Sequence, residues 1–286
     1  MTETVTASAS TQIIERGTLS RRSILGGLGI LAATPALAQL PEQSEQPPRL
    51  DVPYVPTPQD VVDRMLEIAK VTGKDFVMDL GCGDGRMLVT AASKFGSRGR
   101  GVDINPQRIR EANANAQKAN VTDKVTFEVK NLFDTSIKDA NVLTMYLLPS
   151  VNLQLRPRIL DEMQPGSRIV SHSFDMGDWE ADLQDRVNYS RIYYWIVPAK
   201  IGGKWLITDG ADKIEVELVQ TFQKITGGSV KFTGGTAPVM GLVSGEEVRL
   251  MTQIRGEPRI YAGRVSGGGI TPIAGAGAQG WTAARG

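Results

Sequence analysis

The sequence predicts an α/β protein, with a doubly wound sheet over residues 54–198 followed by a small all-β antiparallel meander over residues 199–286. Three observations carry this reading. Between Pro58 and Val197, short apolar runs alternate with segments of helical periodicity, which is the pattern of β-α-β units and a parallel sheet. After Pro198 the periodicity changes to two. Glycine is uneven in the same way, because 18 of the 31 glycines lie from Ala199 onward.

Val61, Val62, Met65, Leu66, Ile68 and Ala69 recur at helical spacing between Pro58 and Gly73, which predicts a leading helix. Phe76–Leu80 is a short apolar run bounded by charge and glycine and predicts a buried strand. Arg86–Phe95 reads as helix, Gly101–Ile104 as strand, Asn105–Asn120 as a helix rich in Ala and Asn, and Val125–Val129 as an alternating strand. Asn141–Leu147 (strand), Val151–Met163 (helix), Ser167–Ser173 (strand) and Arg191–Val197 (strand) continue the rhythm. A ligand is expected across the carboxyl ends of the leading strands. Beyond Pro198, strands are predicted at Gly203–Thr208, Ile214–Leu218, Gly228–Phe232, Val239–Val243, Val248–Ile254, Arg259–Val265 and Gly280–Ala284, punctuated by glycine turns such as Gly267-Gly268-Gly269. This meander closes either as a small barrel or as a half-sandwich, and serves either as a lid or stability module or as a surface presenting an acceptor.

Residues 1–38 read as an address rather than as fold. Ser20-Arg21-Arg22-Ser23-Ile24-Leu25 precedes an apolar, uncharged run ending in Ala36-Leu37-Ala38, and the whole resembles a twin-arginine signal peptide cleaved before Gln39. The run from Ile24 to Ala38 falls short of the ~20 residues a spanning helix needs and carries Gly26, Gly27, Gly29 and Pro35, so no stable transmembrane span is expected in the mature chain. The resemblance implies the twin-arginine (Tat) export machinery as a partner and a periplasmic location. The alternative is a chain anchored to the membrane by an uncleaved N-terminus. Residues 39–53, with four prolines, read as a solvated linker.

The whole chain carries 32 Lys+Arg against 31 Asp+Glu. Without residues 1–38, which contain Arg16, Arg21, Arg22, Glu3 and Glu15, the two counts are equal at 29 each. A nucleic-acid partner leaves a basic excess or stripe, so it is disfavoured. A single Cys and a single His exclude an internal disulfide and a Cys/His zinc module, and no metal is expected.

The chemistry sits at Asp79-Leu80-Gly81-Cys82-Gly83-Asp84-Gly85-Arg86, where the leading strand turns into a helix. Glycines there let backbone N–H groups approach a ligand closely, and the helix N-terminus behind them favours negative charge. A dinucleotide loop places its third glycine at position 86, which here is Arg. The observed Gly-x-Gly-x-Gly, preceded by Asp79 and followed by Asp103 at the tip of the next strand, instead resembles motif I of class I S-adenosylmethionine-dependent methyltransferases. A Rossmann-like methyltransferase sheet and S-adenosyl-L-methionine as cofactor are what this resemblance implies. Tyr54-Val-Pro-Thr57-Pro, Gly101-Val-Asp-Ile-Asn-Pro106, Asn131-Leu-Phe133, Leu148-Pro-Ser-Val-Asn152 and the segment from Arg168 through Trp179 fall in the order of one methyltransferase family. It contains the mitochondrial lysine methyltransferases of an ATP synthase subunit together with bacterial relatives.

The resemblance implies roles that the ligand's chemistry supports. The ribose offers two vicinal hydroxyls and a carboxylate accepts both, so Asp103 is the expected ribose residue, with a cap on the following helix as its alternative. Ile104 is expected beside the adenine, and Leu132 is expected to contact the cofactor. Asn131 is expected to accept from the adenine amino group, or else to form a turn. Asp79 suits the ammonium group, and the backbone of Gly81, Cys82 and Gly83 suits the carboxylate side, with Cys82 a small packing residue rather than a nucleophile. Tyr54 and Thr57 belong to the segment that in the family folds over the methyl donor. No catalytic residue is identified; Tyr54 and His172 are candidates, and a structural role is the preferred reading of His172. Leu148-Pro149-Ser150 is either an acceptor-binding element or the start of a helix. Where eukaryotic members commonly carry Asp-Leu-Trp this chain has Asn131-Leu-Phe133, and they lack its C-terminal extension, so the acceptor stays open, with a protein lysine or another amine as options. Export away from the cytoplasmic supply of S-adenosylmethionine leaves a rival reading: an exported nucleoside-binding protein that keeps the fold with lost or altered catalysis.

Overall fold

The computed structural model describes residues 54–286, so the signal segment and linker predicted for residues 1–53 lie outside the described residues. The N-terminal body is a seven-stranded sheet of order β3-β2-β1-β4-β5-β7-β6. Its elements are α1 (Gln59–Ile68), β1 (Phe76–Leu80), α2 (Arg86–Phe95), β2 (Arg98–Asp103), α3 (Pro106–Lys118), β3 (Val125–Val129), β4 (Val142–Met145), α4 (Pro149–Glu162), β5 (Arg168–His172), β6 (Leu183–Val187) and β7 (Ser190–Ile196). The strands β1 to β5 are parallel. The last two form an antiparallel hairpin added at the β5 edge, through a turn whose Asn188 has φ 51°. β6 is absent from the sequence reading because its Leu-Gln-Asp-Arg-Val lies at a sheet edge and has no apolar alternation.

Strand alternation divides the apolar residues between two faces. Val77, Val142, Val170 and Ile192 pack with α1, α2 and α3, whose inward residues include Met65, Leu66, Leu88, Ala91 and Ala112. Met78, Leu80, Leu143, Met145, Ile169 and Trp195 pack on the other face with Leu155 and Ile159 of α4 and with Trp179. Burying side chains of this size contributes about 1.5–3 kcal/mol each, which makes the two layers the main source of cohesion. Asp79 and Thr144 sit in register on neighbouring β1 and β4, on the α1–α3 face.

The C-terminal body contains β8 (Gly203–Asp209), β9 (Asp212–Thr221), β10 (Lys224–Phe232), β11 (Gly235–Pro238), β12 (Met240–Ser244), β13 (Glu247–Ile254), β14 (Glu257–Ser266), β15 (Gly269–Gly277) and β16 (Trp281–Arg285). Successive strands pair antiparallel, β16 returns to pair with β8, and β9 pairs with β10, so the sheet closes on itself. β11 and β12 both pair with β10, as one edge interrupted at Val239. Of the two closures expected, the barrel is the one found. Its interior is filled by Trp205, Val216, Val248, Leu250, Tyr261 and Trp281, with the Tyr261 and Trp281 rings edge to face at 5.1 Å. One glycine acts here by packing rather than by turning: a methyl group on Gly263 in β14 would sit 2.9 Å from the Trp281 ring and 2.7 Å from the Thr271 carbonyl. The bodies meet where Phe222 stacks on Trp179 at 6.0 Å and the Gln223 side-chain amide donates to the Glu180 carbonyl at 2.7 Å.

Candidate active site

The β1–α2 turn builds the floor of the site. The Gly81 and Cys82 N–H groups both donate to the Val102 carbonyl at 2.9 Å, which bends the chain back over β2. Gly83 has φ 52°, and a methyl group on it would lie 2.5 Å from the Tyr54 ring, so the loop needs glycine both for its backbone and for close approach of the segment before α1. Asp103, at the end of β2, ties the loop down: its Oδ2 accepts from the Gly83 N–H at 3.0 Å and its Oδ1 from the Asn105 N–H at 2.9 Å. Asn105 takes the cap of α3, accepting from the Gln107 N–H, so the alternative of Asp103 as the cap is corrected: the cap position falls two residues later.

Asp79 is buried at 6% exposure, with Thr144 Oγ1 donating to its Oδ1 at 2.7 Å. Burial pushes its carboxyl up to about 7; the hydroxyl of Thr144 opposes this and the charges of Asp103 and Asp84 add to it. Burial also pushes the Cys82 thiol up, and the charges of Asp79 and Asp103 add to the shift. Asp84 and Arg86 form a bidentate pair at 2.9 and 2.6 Å, and Arg86 Nη1 reaches over to donate to the Thr57 carbonyl at 2.9 Å. The Arg108 guanidinium lies 4.3 Å above the Tyr54 ring. Four residues that precede α1 are thereby held across the mouth of the β1–α2 loop.

Tyr54, Thr57, Asp79, Gly81, Cys82, Gly83, Asp103, Ile104, Asn131 and Leu132, named from sequence as donor-contacting, all line one cleft at the carboxyl ends of β1 to β4. Asn131 has its Oδ1 engaged by the Phe133 N–H at 2.9 Å, capping a short 3-10 turn over Leu132–Asp134, so its turn role is present and one lone pair remains for a ligand. His172 ends β5 and does not line the cleft; burial pushes its imidazole down to about 4, which corrects its candidacy as a base reaching the ligand. Leu148-Pro149-Ser150 is the start of α4, with Pro149 in its opening turn.

Several lining residues escaped the sequence reading, including Arg86, Arg108, Lys130, Met145, Tyr146 and Leu147. Tyr146 was findable: it lies two residues beyond Thr144 and therefore leaves β4 on the face that carries Asp79. The arginines were not, because their reach depends on where α2 and α3 pack. Among the described residues no cluster of His, Cys, Asp and Glu could hold a metal ion, and no helix is long and apolar enough to cross a membrane.

Comparison with known proteins gives the cleft its context. Residues 79–183 match the model of the ANTKMT methyltransferase domain. A protein-lysine N-methyltransferase of Saccharolobus islandicus is 52% identical over 129 residues, which cover 45% of this chain and 80% of that protein. The mouse adenine nucleotide translocase lysine N-methyltransferase is 32% identical over 61% of this chain and 77% of its own length. Among solved structures, an RNA methyltransferase from Salinibacter ruber in complex with S-adenosyl-L-homocysteine is 46% identical, with a TM-score of 0.51, and covers 51% of this chain and 96% of its own. The buried acid of Asp79, the glycine loop and the acid ending β2 lie within the matched region or at the cleft it forms, and the chain belongs to the ANTKMT family of S-adenosylmethionine-dependent methyltransferases.

Proposed function

We propose that the chain transfers the methyl group of S-adenosylmethionine to a protein amine, with a lysine side chain as acceptor. The observation that carries the acceptor class is the wall of the cleft opposite the β2 and β3 side. It includes Val55, Pro56, Tyr146 and Leu147, none of them a carboxylate or an imidazole, and the one nearby imidazole is buried and neutral. An ammonium entering such surroundings loses hydration, which lowers its pKa and favours the neutral nucleophile without a dedicated base. The archaeal and mouse relatives carry protein-lysine names and the Salinibacter structure carries an RNA name. The balanced charge of residues 39–286 favours the former here. All three carry transferase names, which favours retained catalysis over a binding-only protein.

When bound, the donor supplies a methyl group on a sulfonium for in-line displacement, and the residues of the chain bind, orient and exclude water. Asp103 takes the ribose hydroxyls, Ile104 and Leu132 flank the adenine, and Asn131 accepts from its amino group. Asp79 takes the ammonium, because a buried carboxyl with a raised pKa is one that a cation returns to its ionised form. The Gly81–Gly83 backbone faces the donor carboxylate, and Tyr54 and Thr57 close over the sulfonium end.

Labelled-methyl transfer to fractionated extracts tests the acceptor class. Label recovered on lysine after hydrolysis supports the reading; label on RNA, or none, refutes it. Export through a twin-arginine signal belongs to the same proposal, on the strength of Arg21, Arg22 and Ala36-Leu37-Ala38. The paired Arg21→Lys and Arg22→Lys changes should hold the precursor in the cytoplasm, and undiminished export would refute that part.

A further inference from the structure

His172 does not reach the cleft, yet two groups that do reach it rest on its ring. It is 2% exposed, and its Nδ1 lies 3.2 Å from the Thr57 hydroxyl. Its ring centroid is 3.9 Å from that of Tyr146. Strand register produces the second contact: Met145 pairs with Ser171, so the next residues, Tyr146 and His172, leave β4 and β5 on one face and side by side. Among the described residues the Tyr146 hydroxyl has no hydrogen bond to the protein, and its ring has His172 and, at 6.3 Å, Phe174 as aromatic neighbours. Thr57 is gripped twice, at its carbonyl by Arg86 and at its hydroxyl by His172. Burial keeps the imidazole neutral, so the ring always offers one acceptor and one donor nitrogen around neutral pH.

We propose that His172 is a positioning residue for donor binding: its Nδ1 fixes the Thr57 side chain while its ring fixes the plane of Tyr146, so that the segment before α1 and the end of β4 close on the donor together. The proposal rests on the donor occupying this cleft and assigns His172 no proton transfer.

Two substitutions separate the contacts. His172→Phe keeps a ring against Tyr146 and removes the bond to Thr57, and Thr57→Val removes the same bond from the other side. S-adenosylhomocysteine affinity by calorimetry, its dissociation rate by stopped flow, and thermal melting are measured on the full chain. Each single change should weaken binding about fivefold to tenfold, mainly through faster dissociation. The double variant should be no worse than either single one, and Thr57→Ser should restore near-native binding. A histidine that serves only core packing would lower the melting temperature of His172→Phe while leaving dissociation native, or would give effects that add in the double variant; either result overturns the proposal. If His172→Phe does not fold, the Thr57→Val and Thr57→Ser pair reads the same bond, and native dissociation in Thr57→Val overturns it. Failure of the native chain to bind S-adenosylhomocysteine would instead remove the donor assignment beneath it.

Discussion

Asp79→Asn should make the ligand-free protein more stable and the donor site worse, with both effects growing as pH rises. The carboxyl is buried, and its pKa stands at about 7 against an ordinary 3.8. A raised folded-state pKa means that the folded chain holds a proton the unfolded chain has lost between pH 3.8 and about 7, so stability falls as pH rises through that window. Above it the full deficit persists, about 4 kcal/mol at about 1.36 kcal/mol per pH unit. Asparagine is close in shape to the protonated acid, can accept from Thr144 Oγ1 in the same way and has no proton to lose. The variant's advantage over the native chain should therefore increase by about 2–3 kcal/mol between pH 5 and pH 8. Urea unfolding of both proteins across that range measures it, with Trp179 and Trp195 reporting the sheet and Trp205 and Trp281 the barrel. S-adenosylhomocysteine affinity should move oppositely, because the ammonium loses its counter-charge. For the native chain, affinity should drop by up to about tenfold per pH unit below pH 7, where binding has to expel a proton. A stability difference that does not change with pH, or a variant less stable than the native chain at pH 8, would refute the account of Asp79.

Asp103→Ala removes the proposed ribose acceptor, the bond that pins the glycine loop at Gly83 and the bond to the Asn105 N–H, so S-adenosylhomocysteine affinity should fall roughly 100-fold or more by calorimetry; a loss below about fivefold would contradict the ribose role. Gly83→Ala places a side chain at φ 52° and against the Tyr54 ring. It should cost about 1–2 kcal/mol in urea unfolding and weaken donor binding by displacing Tyr54. Trp281→Ala empties the centre of the barrel and should cost about 3–5 kcal/mol, seen as an early unfolding transition that Trp205 fluorescence follows.

The legible parts of this chain are those whose chemistry is local. Asp79, Gly81, Gly83 and Asp103 are positioned by one strand-turn-helix unit and the strand that follows it, so their spacing alone places them around one cleft. Asn131 shows the limit of that reasoning: both of its readings were available, and the Phe133 N–H uses the very oxygen expected to meet the adenine. β11 and β15 were invisible because Gly235-Thr-Ala-Pro238 and the Gly- and Ala-rich Gly269–Gly277 show no apolar alternation. They become strands only because β10 and β14 present unpaired edges beside them.

Whether the meander closes was equally beyond local pattern. Closure depends on Trp205 of β8 meeting Arg285 of β16, a pairing across nearly the whole C-terminal body, and on a strand tilt that no single segment encodes. Long-range pairing decides the active site in the same manner. Thr57 precedes α1, Tyr146 follows β4 and His172 ends β5, and nothing in their separate surroundings joins them. What joins them is the parallel register of β4 with β5, which leaves two rings on one face, and the packing of α1 over that face, which brings Thr57 within reach. A side chain can thus act on a ligand through neighbours while standing outside the cleft. For that reason a search confined to polar residues in the cleft sets His172 aside, although two parts of the cleft wall lean on it.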